Sequence, residues 1–243
     1  MKWGERRLQV LFFFATLLVI GRMVDTAAAV PFQGYEVAKT VYLEGDSRAS
    51  IPLVRGMADL ALQAKINRTL KAAILSLKNP SRGSSLHGDF SITFSNDVLL
   101  GIHFQGDSNT PRTAHPTKID CGIHIDMTQG IIFGLDDLFR KGVLYEEHIK
   151  KLCEENQKHY RLRIPGLWDG WTYNYFADNW YREDEGFDSR LFLLFRDSLR
   201  VYTIPCFATG PIGGYRIPYA SLERIIDHKG DLWKRISYRG ERE

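Results

Sequence analysis

Two hydrophobic periods run along the chain and divide it into helices and strands. Leu62, Ile66, Leu70, Ala73 and Leu77 recur every three or four residues, predicting one long helix with a single apolar stripe. Lys65, Arg68 and Lys71 lie away from the centre of that stripe, and Asn79-Pro80 stops it. Phe90, Ile92 and Phe94 then alternate with Ser91, Thr93 and Ser95. After the turn Asn96-Asp97, Leu100, Ile102 and Phe104 alternate with Gly101, His103 and Gln105, so the two runs predict a β-hairpin. Gly106 to Pro116 is polar and turn-rich and reads as a loop. Ile119, Cys121, Ile123, Ile125 and Met127 restore a strict period of two.

Asp136 to Phe139 reads as a short helical turn. A second long helix carries Tyr145, Ile149, Leu152, Cys153 and Tyr160 at helical spacing, and Pro165-Gly166 ends it. The last third reads as β, with strands at Trp180-Tyr181, Leu199 to Pro205 and Tyr215 to Pro218. Leu191 to Phe195 is apolar on both faces, which predicts a central strand. Ser221 is a candidate cap for a final short helix through Ile226. Near the start, Tyr35 to Leu43 alternates weakly, as an edge strand would. Hairpins grouped with two separate helices predict an α+β fold, an antiparallel sheet with two long helices packed on it. The expected organisation is a single domain over residues 30–227, with an N-terminal part at 30–82 and a C-terminal part at 83–227. The mixed-charge residues 228–243 read as a flexible tail.

Residues 1–29 have a different character. Lys2, Arg6 and Arg7 precede an apolar run from Leu8 to Ile20, and Ala27-Ala28-Ala29 follows it. A positive start, a short apolar middle and small residues at the end are the pattern of a secretory signal peptide. A spanning helix needs about 20 apolar residues, more than this run offers without burying Arg22. Cleavage is expected after Ala29, giving a secreted, periplasmic or cell-surface chain starting at Val30; retention as an anchor is the alternative. The formal charge is +3, of which the first 29 residues carry +2. A near-neutral body argues against nucleic acid as a partner, because phosphate binding needs clustered Lys and Arg. The three cysteines, Cys121, Cys153 and Cys206, are too few for a disulfide framework and read as buried small hydrophobes.

The seven histidines are never closer than nine positions apart, so no local metal motif exists and no cofactor is expected. His103, His124 and Asp126 lie on the polar sides of their strands. They would share a surface if those strands pair, either as a composite metal site or as a solvated sheet face. Gly83 to Gly88 is not a nucleophile elbow, and Gly210 to Gly214 has no Lys and no helix start to cradle a phosphate. Asn67-Arg68-Thr69 fits a sugar-acceptor pattern but falls within the first helix. Trp168, Trp171, Tyr173, Tyr175 and Phe176 lie among Asp169, Asn174, Asp178 and Asn179. Flat rings beside short polar groups suit a sugar or a protein partner, and core packing competes with that reading.

Several segments together resemble the extracytoplasmic domain of lysozyme-sensing anti-sigma-V factors. This RsiV-like family (domain of unknown function 3298) also occurs at the N-terminus of some peptidoglycan deacetylases. The resemblance runs through Ile51-Pro52 to Gly56, Gln63, Ile66-Asn67 and Leu70, then Ala114-His115-Pro116. It continues through Ile125-Asp126, Thr128-Gln129-Gly130 and Leu135 to Phe139, then Tyr202-Thr203-Ile204, Phe207 to Pro211, Ile217-Pro218-Tyr219 and Leu222. It covers about residues 35–227 and implies α+β architecture. The chain departs from the family pattern at Arg112-Thr113, where two glycines are common, at Thr203 and at Cys206. Only seven residues precede the apolar run, so the sigma-binding role is not expected, and the deacetylase histidine spacing is absent.

The resemblance implies an exported binding or sensing module of the cell envelope, and an envelope protein or a glycan is the expected ligand. Trp168 and Trp171 of the aromatic stretch and His115 of the family-like loop motif are the candidate binding residues. The membrane would be touched only through an uncleaved leader. The alternative is an exported hydrolase acting on cell-wall material, with His115 as general base and Asp126 or Asp120 beside it.

Overall fold

A computed structural model describes residues 30–32, 34–78, 83–113, 116–163, 192–201 and 215–238. The chain enters a seven-stranded sheet through β1 (Val30–Phe32), β2 (Tyr35–Glu44) and β3 (Ser47–Arg55). Helix α1 (Leu60–Leu75) crosses to β4 (Ser85–Ser95). The sheet then continues through β5 (Leu99–Asn109), β6 (Thr117–Asp126) and β7 (Ile132–Phe133), with the strands lying side by side in chain order. A 3₁₀ turn (Asp136–Leu138) and helix α2 (Tyr145–Arg163) lead to a second sheet of β8 (Phe192–Leu194), β9 (Ser198–Val201) and β10 (Tyr215–Pro218). Two short helices follow, α3 (Tyr219–Leu222) and α4 (Asp231–Ser237). The class is α+β, as expected.

Helix α1 starts where Asp59 caps it, accepting from the Ala61 and Leu62 amides at 2.9 Å each. Its stripe buries Ile66, Leu70 and Ile74 against the sheet, about 1.5–3 kcal/mol for each side chain taken from water. The crossover also explains the one parallel pairing, β3 with β4, since a strand–helix–strand connection returns the chain in the same direction. That pairing spans only Arg48↔His87 and Ala49↔Gly88. Beyond it no other strand among the described residues pairs with β3 on that side, and α1 supplies a substitute. Asn67 accepts from the Val54 amide at 2.8 Å and donates to the Val54 carbonyl at 2.9 Å. One turn earlier, Gln63 accepts from the Met57 amide at 3.1 Å. The Asn67 amide is thus occupied by backbone.

The main sheet has a buried core on each face. On one, Leu100, Ile102 and Phe104 of β5 and Cys121, Ile123 and Ile125 of β6 pack with α1. On the other, Leu99 packs with Phe192, Leu194, Leu199, Val201 and Ile217 of the small sheet and with Ile149 and Cys153 of α2. The second long helix therefore packs in the core under the small sheet, not in the one under α1. A register shift between Ile92 and Phe94 turns Phe94 out of the alternation read from sequence and onto this second core.

Four other expectations give way to tertiary contacts. The stretch 106–116 is only partly loop, because β5 runs to Asn109. Leu191 to Phe195 does not form a central strand. Its strand, β8, is an edge of the small sheet, and it is apolar all round because it lies across the main sheet. Ser221 falls inside α3, whose N-cap is Pro218. The stretch read as a flexible tail holds α4, with Leu232 and Ile236 buried in the second core.

The two sheets come into close contact at Gly122. A Cβ there would lie 1.8 Å from the Phe192 carbonyl oxygen, so only glycine lets β8 down onto β6. We predict that Gly122→Ala lowers stability by about 2–3 kcal/mol, measured by urea unfolding. Asn67→Ala, which strands the Val54 amide and carbonyl, should cost about 1–3 kcal/mol. Unchanged urea midpoints would contradict both assignments.

Candidate functional site

The hairpin register decides which polar side chains meet. His103 lies opposite Gly122, Gln105 opposite Asp120, Gly101 opposite His124 and Leu99 opposite Asp126. Residues paired across strands share a face, so His103, Asp120, His124 and Asp126 all lie on one side of the β5–β6 pair. The shared surface read from sequence exists. What covers it changes along its length.

At its more open end, His103 Nε2 and Asp120 Oδ1 are 2.6 Å apart. The carboxylate accepts, which places a proton on Nε2. Asp120 Oδ2 accepts from Gln105 Nε2 at 3.2 Å. The His103 and Asp120 side chains retain 12% and 10% of their exposure. The pair borders the seam, since Gly122 opposite His103 is the residue over which Phe192 passes.

One pair further along, His124 is fully buried and stacks on Phe192, with ring centroids 4.2 Å apart. Its Nε2 accepts from the Leu194 amide at 3.2 Å, so the ring proton is on Nδ1. Nδ1 has no hydrogen-bond partner among the described residues. Burial pushes this imidazole down to about 3, because an apolar surround disfavours the charged ring. His124 serves as a backbone acceptor between two sheets and is not part of a solvated face.

Asp126, at the end of β6, is buried as well. Its Oδ1 accepts from the Thr128 amide and hydroxyl at 2.6 Å each and from the Gln129 amide at 3.1 Å. This is the short-range bonding by which Asp fixes a turn. Its Oδ2 accepts from Arg235 Nε at 3.1 Å, and Arg235 also reaches the Thr128 hydroxyl at 3.1 Å. The carboxylate ties α4 to the turn after β6, and Asn96 adds a bond to the Arg235 carbonyl at 2.8 Å.

The other described segments of the family-like pattern are structural in the same sense. Asp137 accepts from the Gly134 amide at 2.7 Å. Leu135, Leu138 and Phe139 are buried, and Phe139 bridges to Ile226. His115, Trp168, Trp171, Cys206 and the stretch 210–214 lie outside the described residues. Cys121 and Cys153 are buried in different cores. Among the described residues no three metal-capable side chains converge, and no helix is long and apolar enough to cross a membrane. Sequence reading named both His103 and Asp120 without pairing them. Their position on the polar sides of consecutive strands was the available signal.

No protein-family model matches the chain, and no curated protein matches it. Its structure is similar to the crystal structure of a DUF3298 family protein from Pseudomonas aeruginosa PAO1. The TM-score is 0.51 at 16% identity, over 81% of this chain and 95% of that one. The likeness is one of fold. A DUF3298 family member from Bacteroides fragilis NCTC 9343 aligns at a TM-score of 0.49 and 16% identity, over 83% of this chain and 94% of that one.

The environment of His124 gives a signed pH dependence. The unfolded chain takes up a proton below about 6.5, whereas the native ring resists down to about 3. This contribution to stability is therefore complete above the upper value. It falls by up to about 1.4 kcal/mol per pH unit as the pH drops towards the lower one. His124→Gln keeps an acceptor for the Leu194 amide and removes the titration. Urea midpoints measured from pH 7 to pH 4 should fall less steeply for the variant; identical slopes would contradict the assignment.

Proposed function

We propose that this chain is an exported binding or sensing module of the cell envelope, of the RsiV-like kind, and not an enzyme. The observation that carries this reading is the use of its family-like polar residues. Gln63, Asn67, Asp126 and Asp137 each bond backbone groups of a neighbouring element or turn. The family-like pattern in the described residues thus specifies a frame that presents loops, and a frame suits recognition. The fold likeness to the DUF3298 family protein supports the reading, and so does the leader-like segment at residues 1–29. The module works at the cell surface or in the periplasm and holds an envelope protein or a glycan, with Trp168, Trp171 and His115 as its binding residues.

A second reading has one observation in its favour, the short His103–Asp120 bond. A carboxylate that orients an imidazole is the arrangement used to move a proton in hydrolysis. In that reading the chain cuts cell-wall material, with His103 joining or replacing His115 as the base. Of the two carboxylates foreseen, Asp120 is the one that bonds His103, whereas Asp126 is occupied by its turn and Arg235.

The two are separated by measuring binding and turnover on the same protein. Residues 30–243 should retain purified cell-wall glycan or an envelope protein, and Trp168→Ala and Trp171→Ala should weaken retention about tenfold or more, as loss of an aromatic anchor does. Failure to bind any envelope fraction would contradict the proposal. Release of soluble wall fragments that His103→Ala and Asp120→Asn both abolish would favour the hydrolase instead.

A further inference from the structure

One edge of the seven-stranded sheet is only partly covered. β1 pairs with β2 from Val30↔Val37 to Phe32↔Tyr35 and no further. Among the described residues no strand pairs with Ala38 to Glu44 on that side. This open stretch of β2 carries Val41 at 38% exposure and Leu43 at 71%. Both lie on the same face as Lys39, by the alternation of a strand. Charged side chains normally guard such an edge. Here Lys39 is drawn onto Asp89 at 2.6 Å and Glu44 onto Lys78 at 3.1 Å, which leaves the apolar pair unguarded.

Backbone parity and side-chain parity agree on how this edge can be used. The two-residue turn Gly45-Asp46 is closed by the pair Glu44↔Ser47, so the even-numbered residues of β2 direct their backbone groups to β3. The odd-numbered ones direct theirs outwards, as Tyr35 and Val37 do towards β1. Lys39, Val41 and Leu43 therefore present amide and carbonyl groups along the open edge, and the last two also expose apolar side chains. We propose that this edge pairs antiparallel with the same edge of a second copy of the chain, about a two-fold axis at Tyr42. In that register Val41 faces Leu43 of the second copy, Leu43 faces its Val41, and Thr40 faces its Glu44. The outward backbone groups of Val41 and Leu43 then meet, and the two exposed side chains cover each other on one face. An axis at Val41 would set Leu43 opposite Lys39, and an axis at Leu43 would set Val41 opposite Gly45. Only Tyr42 at the axis gives both apolar side chains an apolar partner. The contact is short, so it belongs with weak associations and not with obligate dimers.

The test uses the full chain. Sedimentation equilibrium from about 10 µM to about 1 mM should show monomer and dimer in exchange. Leu43→Lys should weaken the dimer about tenfold or more, since a charged side chain on an edge blocks strand pairing. Leu43 is exposed, so this variant should keep the parent's urea midpoint. Tyr42→Cys, oxidised with glutathione disulfide, should give a disulfide-linked dimer. Residues facing each other at a non-hydrogen-bonded position have Cα atoms about 4.5 Å apart, within reach of a disulfide. Val41→Cys should bridge more slowly, and the parent chain oxidised alongside reports any bridge through a native thiol. A monomer over the whole range would overturn the proposal. So would a dimer that Leu43→Lys leaves intact, because another surface would then hold it. Faster bridging at Val41→Cys than at Tyr42→Cys would overturn the axis.

Discussion

The structure depends on one close approach, the passage of the Phe192 backbone over Gly122. It lets a three-stranded sheet lie directly on the polar side of β6, and it turns what would be a solvated face into a second core. The described elements C-terminal to β7 share the core that this contact borders. Phe192 stacks on His124, the Leu194 amide donates to the same ring, and α2, α3 and α4 close around the strand that makes both contacts. A buried histidine is tolerable there because it remains neutral and accepts a hydrogen bond the edge strand needs satisfied.

The same economy governs the polar residues elsewhere. Asn67 stands in for a missing strand neighbour, and Asp126 fixes a turn while holding Arg235. Removing Asn67 would leave the buried Val54 backbone without a partner, and removing Asp126 would leave the half-buried Arg235 guanidinium without its carboxylate. These side chains set the positions of the loops between rigid elements. In the recognition role proposed above, such a frame would be fixed and the contacting residues would sit on what it presents.

The alternation from Ile119 to Met127 and the stripe from Leu62 to Leu77 were legible because each is a local period imposed by one apolar face. The opposite side of β6 was not legible, because its partners are remote in sequence. Arg235 lies 109 residues from Asp126, and Leu194 lies 70 from His124. The same remoteness hid α4, whose Leu232 and Ile236 look like scattered apolar residues until the second core is there to receive them. Phe94 misled the pattern for a different reason, since a bulge adds a residue without changing composition. Of the candidate site, the shared face was foreseen from strand parity, whereas the His103–Asp120 bond needed the register.

The central claim is that the small sheet and the main sheet are one cooperative unit, joined at the His124–Leu194 bond. Native-state hydrogen exchange at the Leu194 amide tests it most directly. This amide should exchange only through global unfolding, with the protection of the slowest amides of β5 and β6. Exchange orders of magnitude faster, with β5 and β6 still protected, would show that the small sheet opens on its own and would contradict it.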